Sequence, residues 1–281
     1  HFTDRRQRQM CIRDRTTPVP RLLRKKFPNS EIHFITKSEY SDIYINNNNV
    51  NKVINLEHNL KKTIKLLKSE KYDLVIDLHN NLRSNVIKYS LSVKHLTYNK
   101  QSFARWLFSN LKIKLVIKHI TKSYIETLNN LDIEDDGKGL DLFLHEKDLY
   151  DINKMPIEFR NGFYVLVLGG KYKTKRLPVE KSIELCDKIN RPIVLIGGKN
   201  EYSDSLKIEN FFRKEKDDDD VSDILNKRTT IHNLCGKLSI LQSAWVLKLS
   251  NVVYSNDTGF MHIASALQKK VVSIFGSTHP S

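Results

Sequence analysis

Between Ser255 and His262 the chain reads Ser-Asn-Asp-Thr-Gly-Phe-Met-His, a run of turn and cap residues that passes directly into an apolar segment. Val252, Val253 and Tyr254 precede it as a short β run, and Phe260, Ile263, Ala264 and Leu267 follow at helical spacing. Val271 to Phe275 is a second buried-strand run. Two strands joined by one helix make a βαβ crossover, so both should lie parallel in one sheet. The helix starts at Asp257 or Thr258 as cap, beside Gly259, which lets a ligand approach the backbone. Free N–H groups and the positive dipole end make such a start an anion site, phosphate above all. The plain alternative is a well-capped crossover helix. His262 falls in the first turn, near the expected anion, where the alternative is a satisfied structural histidine.

Two further loops share this character. Gly169-Gly170-Lys171-Tyr172-Lys173-Thr174-Lys175-Arg176 follows a strand-like run with a glycine pair and four cations. It offers backbone room and charge to a diphosphate, though a glycine pair before lysine is also a common strand exit. Gly197-Gly198-Lys199-Asn200-Glu201 places a carboxylate just past another strand. That carboxylate suits ribose hydroxyls, or equally an ordinary turn with an acidic helix start. The sequence contains no zinc-ligand spacing, hydrolase elbow or complete Walker loop.

The elements that must position these loops alternate between strand and helix. In the first half, a helix from Thr17-Pro18 and strands at 32–36, 52–56 and 72–78 are expected. A lysine-rich helix around Leu60, Ile64 and Leu67 and another at 86–91 lie among them. A strand at 95–98 and helices around Trp106 and Tyr124 complete this half. The run Tyr72 to Leu78, YDLVIDL, reads as its strongest strand, with Leu74, Val75 and Ile76 continuous as in a buried parallel strand. Glu134 to Lys138 is read as surface loop. A second α/β unit begins at Phe163, with strands at 164–168, 192–196 and 230–234 leading to the opening stretch. The fold class is therefore α/β, with doubly wound parallel sheets whose ligands bind beyond the strands' C-terminal ends. The expected division is 1–15 as a tract outside the fold, 16–150 and 163–281 as domains, and 151–162 as linker.

Composition bounds the alternatives. The 281 residues are 40% hydrophobic and 28% charged, enough for two cores. No apolar run reaches the ~20 residues of a membrane-spanning helix. Cys11, Cys186 and Cys235 lack metal or redox spacing, and Cys186 sits on an apolar helical face, reduced and buried. A net charge of +15 raises the question of nucleic acid. The charge is mostly Lys spread along helices without a recognition motif, so a solvated basic surface facing anionic headgroups or a phosphorylated substrate is expected. The acidic run Asp217 to Asp220 reads as a solvated insertion, not a metal site.

Four segments of the second half carry a resemblance. GGKYKTKRLP (169–178), VLIGGKNE (194–201), NLCGKLSI (233–240) and SNDTGFMHIASALQKKVVSIFGSTHP (255–280) resemble, in order, the C-terminal domain of glycosyltransferase family 9, the ADP-heptose:lipopolysaccharide heptosyltransferases. TTPVPRLLRKKFPNSEIHFIT (16–36) and YDLVIDLHNNLRS (72–84) resemble its N-terminal half. The resemblance implies a GT-B fold of two Rossmann-like domains. Lys175 then matches the lysine at the donor diphosphate, with Lys171 beside it, and Glu201 the carboxylate at the ribose. Asp257 matches the acid at the sugar, Thr258 and Gly259 lie at the phosphates, and His262 is the motif histidine. His79 and Arg83 are acceptor-side candidates by the strand-end rule. The implied reaction is inverting, metal-independent heptose transfer from ADP-heptose to the inner core of lipopolysaccharide, with no cofactor, at the cytoplasmic face of the inner membrane. Nucleic acid is not an expected partner.

The resemblance also has departures. Family members open with a strand and an S-x-G-D loop whose aspartate serves as general base, and this segment should precede Thr16. Arg5 to Arg15, RRQRQMCIRDR, is instead similar to what one reading frame of a transposon-end sequencing adapter encodes. Residues 1–15 are thus expected to be non-native, the central first strand, the base and the C-terminal closing helices to be missing, and this polypeptide to be inactive. Two other readings stay open: a transferase of the same family using another nucleotide sugar, and a basic nucleotide- or nucleic-acid-binding module.

Overall fold

The protein's structure, a computed structural model, describes residues 15–99, 120–169, 176–218 and 229–275. The chain divides into two compact units between Phe143 and Leu144. In the first, α1 (Pro18–Lys26) begins with proline in its first turn and buries Val19 and Leu22. Then follow β1 (His33–Thr36), α2 (Asp42–Ile45), β2 (Lys52–Asn55), α3 (Leu60–Ser69), β3 (Leu74–Asp77), α4 (Leu82–Leu91), β4 (Lys94–Thr97) and α5 (Ile120–Ile125). The helix expected around Trp106 and the tract 1–14 lie outside the described residues.

The sheet of this unit is split. β1 pairs with β2, and β3 with β4, both in parallel, as separate two-stranded sheets. One helical layer serves both pairs, because Ile54 of β2, Leu67 of α3 and Ile87 of α4 share a cluster with Leu60, Ile64 and Tyr72. A 2.8 Å hydrogen bond between His33 Nδ1 and the Tyr72 hydroxyl joins the start of β1 to the approach of β3. The expected deep burial of β3 is corrected here. Leu74, Val75 and Ile76 are only half-buried, since β3 has one hydrogen-bonded neighbour among the described residues and so lacks flanking side chains on one edge there. The loop read at 134–138 is held more firmly than its composition suggests. Arg21 donates to both carboxylate oxygens of Asp136 at 2.7 and 3.0 Å, and also to Asp141.

The second unit holds β5 (Tyr164–Val167), α6 (Val179–Ile189), β6 (Pro192–Ile196), α7 (Tyr202–Asp218), β7 (Thr230–Asn233), α8 (Ile240–Leu249), β8 (Val252–Asn256), α9 (Gly259–Ala266) and β9 (Lys270–Ile274). Its five strands form one parallel sheet in the order β7-β6-β5-β8-β9. Leu166, Ile193, Leu195 and Ile208 of its core are at most 1% exposed. Cys186 and Cys235 are free and buried in this core, and desolvation pushes both thiols up to about 12. Residues 151–162 belong to this unit and include two short 3-10 turns, Ile152–Lys154 and Ile157–Phe159, with Met155 and Phe159 buried. Asp217 and Asp218 close α7, and the rest of the acidic run lies outside the described residues. No helix among the described residues is long and apolar enough to cross a membrane.

Candidate functional site

The order of the five-stranded sheet fixes where a ligand belongs. From β5 the chain winds through β6 to β7 on one side, then returns to place β8 and β9 on the other. The connections leaving β5 and β8 therefore diverge, which opens a crevice outside their C-terminal ends. The three loops singled out in the sequence emerge at this end: Gly169 beyond β5, Gly197–Glu201 beyond β6, and Asp257–Gly259 beyond β8.

Gly169 is the point at which these loops meet. Its φ of +102° lies in the region that disfavours side chains, and a Cβ there would sit 2.8 Å from Cγ and Cδ of Glu201. A side chain at Gly169 is thus excluded by Glu201, while residues 170–175 of the loop read as facing a diphosphate lie outside the described residues. Glu201 itself is 6% exposed and folds back on its own turn. Its Oε2 accepts the Gly198 N–H at 3.0 Å, and its Oε1 lies 3.2 Å from Arg176 Nη2. Of the two readings posed for this residue, the turn contact is the one these distances show, and the carboxylate oxygens have lone pairs beyond these two partners. Gly197 is needed for the same packing, because a Cβ there would lie 3.1 Å from Glu201 Cβ and 3.2 Å from Cys235 Sγ.

On the β8 side, Asn256 is 3% exposed and its Nδ2 donates to the Gly169 carbonyl at 2.8 Å. Ser255 is fully buried, donates to the Asn256 carbonyl at 2.9 Å and lies 3.2 Å from Thr258 Oγ1. Thr258 is the N-cap of α9, with extended backbone, but its side chain makes no capping hydrogen bond. Of the first-turn N–H groups, that of Met261 donates to the Thr258 backbone carbonyl at 3.2 Å. Gly259 and His262 are both buried in α9, and Asp257 is half-exposed at its approach. The structure thus brings Glu201, Asp257, Thr258, Gly259 and His262 to one end of one sheet. Lys171 and Lys175 lie outside the described residues.

His79 and Arg83 belong to the first unit, after β3. There Asp77 does the organising. Its carboxylate accepts the backbone N–H groups of His79 at 2.9 Å and Asn80 at 2.8 Å, and the Ser84 hydroxyl at 2.9 Å. Lys88 lies 3.5 Å away, 4% exposed, and donates to Thr97 Oγ1 at 2.9 Å. Arg83 is exposed on the first turn of α4. Sequence reasoning missed Asp77 and Lys88, and read Arg176 only as a loop cation and Asn256 only as a turn residue. An acid ending an apolar run and a lysine on the inward face of the next helix were the available signals for the first two. A cavity of about 730 Å³ in the first unit is lined by Leu22, Lys25, Lys26 and Asn129 with residues 132–136, none of them singled out for chemistry.

The family described as glycosyltransferase family 9 (heptosyltransferase) matches residues 60–281. No curated protein sequence matches. Among solved structures, a glycosyl transferase family 9 protein from Veillonella parvula is similar at a TM-score of 0.73 and 19% identity, covering 96% of this chain and 79% of that one. The E. coli ADP-heptose lps heptosyltransferase II is similar at 0.70 and 18% identity, over 95% and 82% of the two chains. An E. coli heptosyltransferase solved with ADP is similar at 0.65 and 19% identity, over 96% and 86%. These likenesses show the fold, GT-B, with one Rossmann-like unit following the other along the chain.

Proposed function

The chain belongs to glycosyltransferase family 9, and on that premise we propose that its second unit binds ADP-heptose and that the heptose passes to the inner core of lipopolysaccharide. The observation that carries this reading is the convergence of Glu201, Asp257, Thr258 and α9 at the β5/β8 switch point. Two of the similar solved proteins are named for ADP-heptose or were solved with ADP, which supports the choice of nucleotide.

In this reading the bond between the heptose anomeric carbon and the β-phosphate oxygen breaks, and a bond to an acceptor hydroxyl oxygen forms with inversion. The hydroxyl's proton leaves to a general base, and ADP departs with the bonding electron pair. Charge therefore builds on the diphosphate as the reaction proceeds. Groups already aimed at it stabilise the transition state more than the ground state. Lys175 and the N–H groups at the start of α9 take that role, with Lys171 nearby. Glu201, fixed by Gly198 and Arg176, receives the ribose hydroxyls on its remaining lone pairs, and Asp257 receives the sugar. No resident cofactor or metal enters this scheme. His79 and Arg83 contact the acceptor, whose lipid anchor places the work at the inner face of the inner membrane, where a basic surface is favoured.

The test is a titration of ADP, UDP and GDP into the chain, with duplex DNA across a salt series as the comparison. Binding of ADP in preference to UDP and GDP is the expected result. Preference for UDP or GDP would move the reading to another nucleotide sugar, and steeply salt-dependent DNA binding without nucleotide preference would overturn it.

A further inference from the structure

The site described above contains a residue that touches no ligand in the proposed scheme and still determines its shape. We infer that Asn256 is a positioning residue for nucleotide binding, acting through the Gly169 carbonyl; this inference rests on the reading of the second unit as a nucleotide-diphosphate site. β5 and β8 are hydrogen-bonded up to the pair Val167–Ser255. Past that pair the two chains leave in different directions, and the backbone ladder offers nothing further to hold them together. The Asn256 amide takes over at that point, donating to Gly169 O across 2.8 Å from a side chain that is 3% exposed.

The hydrogen bond joins two points of the chain from which the loops singled out in the sequence depart. Directly after Gly169 come residues 170–175, with Lys171 and Lys175. Directly after Asn256 come Asp257, Thr258 and Gly259. Gly169 is gripped from a second side, because Glu201 occupies the space a side chain there would need. Its peptide thus ties together the ends of β5, β6 and β8: Asn256 sets its carbonyl, and Glu201 packs on its α-carbon. Water does not substitute easily for a donor this deeply buried, so its removal leaves a buried carbonyl without its partner and frees the loop.

Asn256→Asp and Asn256→Ala separate positioning from simple stability. The Asp side chain has the same shape, but as a carboxylate it repels the Gly169 carbonyl, and when protonated its O–H can donate as the amide did. Burial raises the pKa of such a carboxyl, which brings the change into a workable range. Calorimetric titration of ADP into the full chain and both variants is made near pH 7.5 and again near pH 5, each value taken relative to wild type at the same pH. Near pH 7.5 both variants should bind ADP about 10-fold more weakly, the scale of one unsatisfied buried partner. Near pH 5 the Asp deficit should narrow several-fold while the Ala deficit stays. Folded variants that bind as tightly as wild type, or an Asp deficit that acid leaves unchanged, would overturn the inference. A wild-type chain that binds no nucleoside diphosphate would instead overturn the site reading and this inference with it. Should the carboxylate prevent cooperative folding, Asn256→Ala carries the affinity comparison alone.

Discussion

β3 and β5 begin from similar apolar patterns and end in different surroundings. Tyr72 to Leu78 is YDLVIDL and Phe163 to Gly169 is FYVLVLG, each a short apolar run after an aromatic residue. In β5, Val165, Leu166 and Val167 are at most 1% exposed, because β6 and β8 flank the strand on both edges. In β3, Leu74, Val75 and Ile76 remain half-buried beside one partner among the described residues, β4. An apolar run therefore states what a strand can tolerate, while the number of neighbours decides what it buries. The two units also anchor themselves differently at their strand ends. The second uses glycines packed on Glu201, and the first uses a buried ion pair between Asp77 and Lys88.

This contrast can be broken at several points. The largest effect is expected at the ion pair: Asp77→Ala should cost about 3–5 kcal/mol in denaturant unfolding, because it leaves the Lys88 ammonium buried without its counter-charge. Replacing both residues together with apolar ones of similar size should recover much of that loss. A loss under about 1 kcal/mol for Asp77→Ala would show that the pair is not what holds α4 to β3.

Next in size is a matched pair of truncations. Ile193→Ala in β6, at a site with no exposure, should cost about 3–4 kcal/mol. Ile76→Ala in β3 should cost roughly 1 kcal/mol, because its surroundings are already open to water. Equal losses would mean that the split sheet buries β3 as well as the continuous sheet buries β6, and the comparison would fail.

Two smaller effects sharpen the picture of the second unit. Cys186 and Cys235 should react with a thiol reagent in the native chain only as fast as the unit opens, since burial raises both thiols to about 12. Rapid labelling of either would contradict the packing of this core. The smallest is a pH dependence at His232 on β7. Its Nε2 is buried without a hydrogen-bond partner, the Phe159 ring lies 5.6 Å away, and desolvation, aided by Lys237, lowers its pKa below 6.5. A histidine depressed in the folded state contributes stability that is complete above the unfolded pKa and lost as pH falls below it. The melting temperature of the second unit should accordingly drop on acidification below 6.5, and His232→Gln should flatten that slope.

The legible part of this molecule was its local part. β5, β6 and β8, with their glycine and cap residues, follow from apolar runs and turn chemistry within a few positions. Their alternation with helices gives a doubly wound parallel sheet but not its strand order, which places the switch point between β5 and β8. What escaped was carried by side chains reaching far along the chain. Asn256 meets Gly169 across 87 positions, and Arg21 meets Asp136 across 115. No period or spacing encodes such contacts. Glu201 was legible as a carboxylate just past a strand. Its packing on Gly169 was not, because that depends on two strand ends lying side by side. The half-burial of β3 escaped for the related reason that pairing is a property of neighbours.

The most direct test is hydrogen–deuterium exchange of the chain with and without saturating ADP. The account predicts new protection at Leu168–Gly169, Gly197–Glu201 and Asp257–His262, with peptides from β1 to β4 unchanged. Protection confined to the first unit, or none at those three loops despite measurable ADP binding, would contradict it.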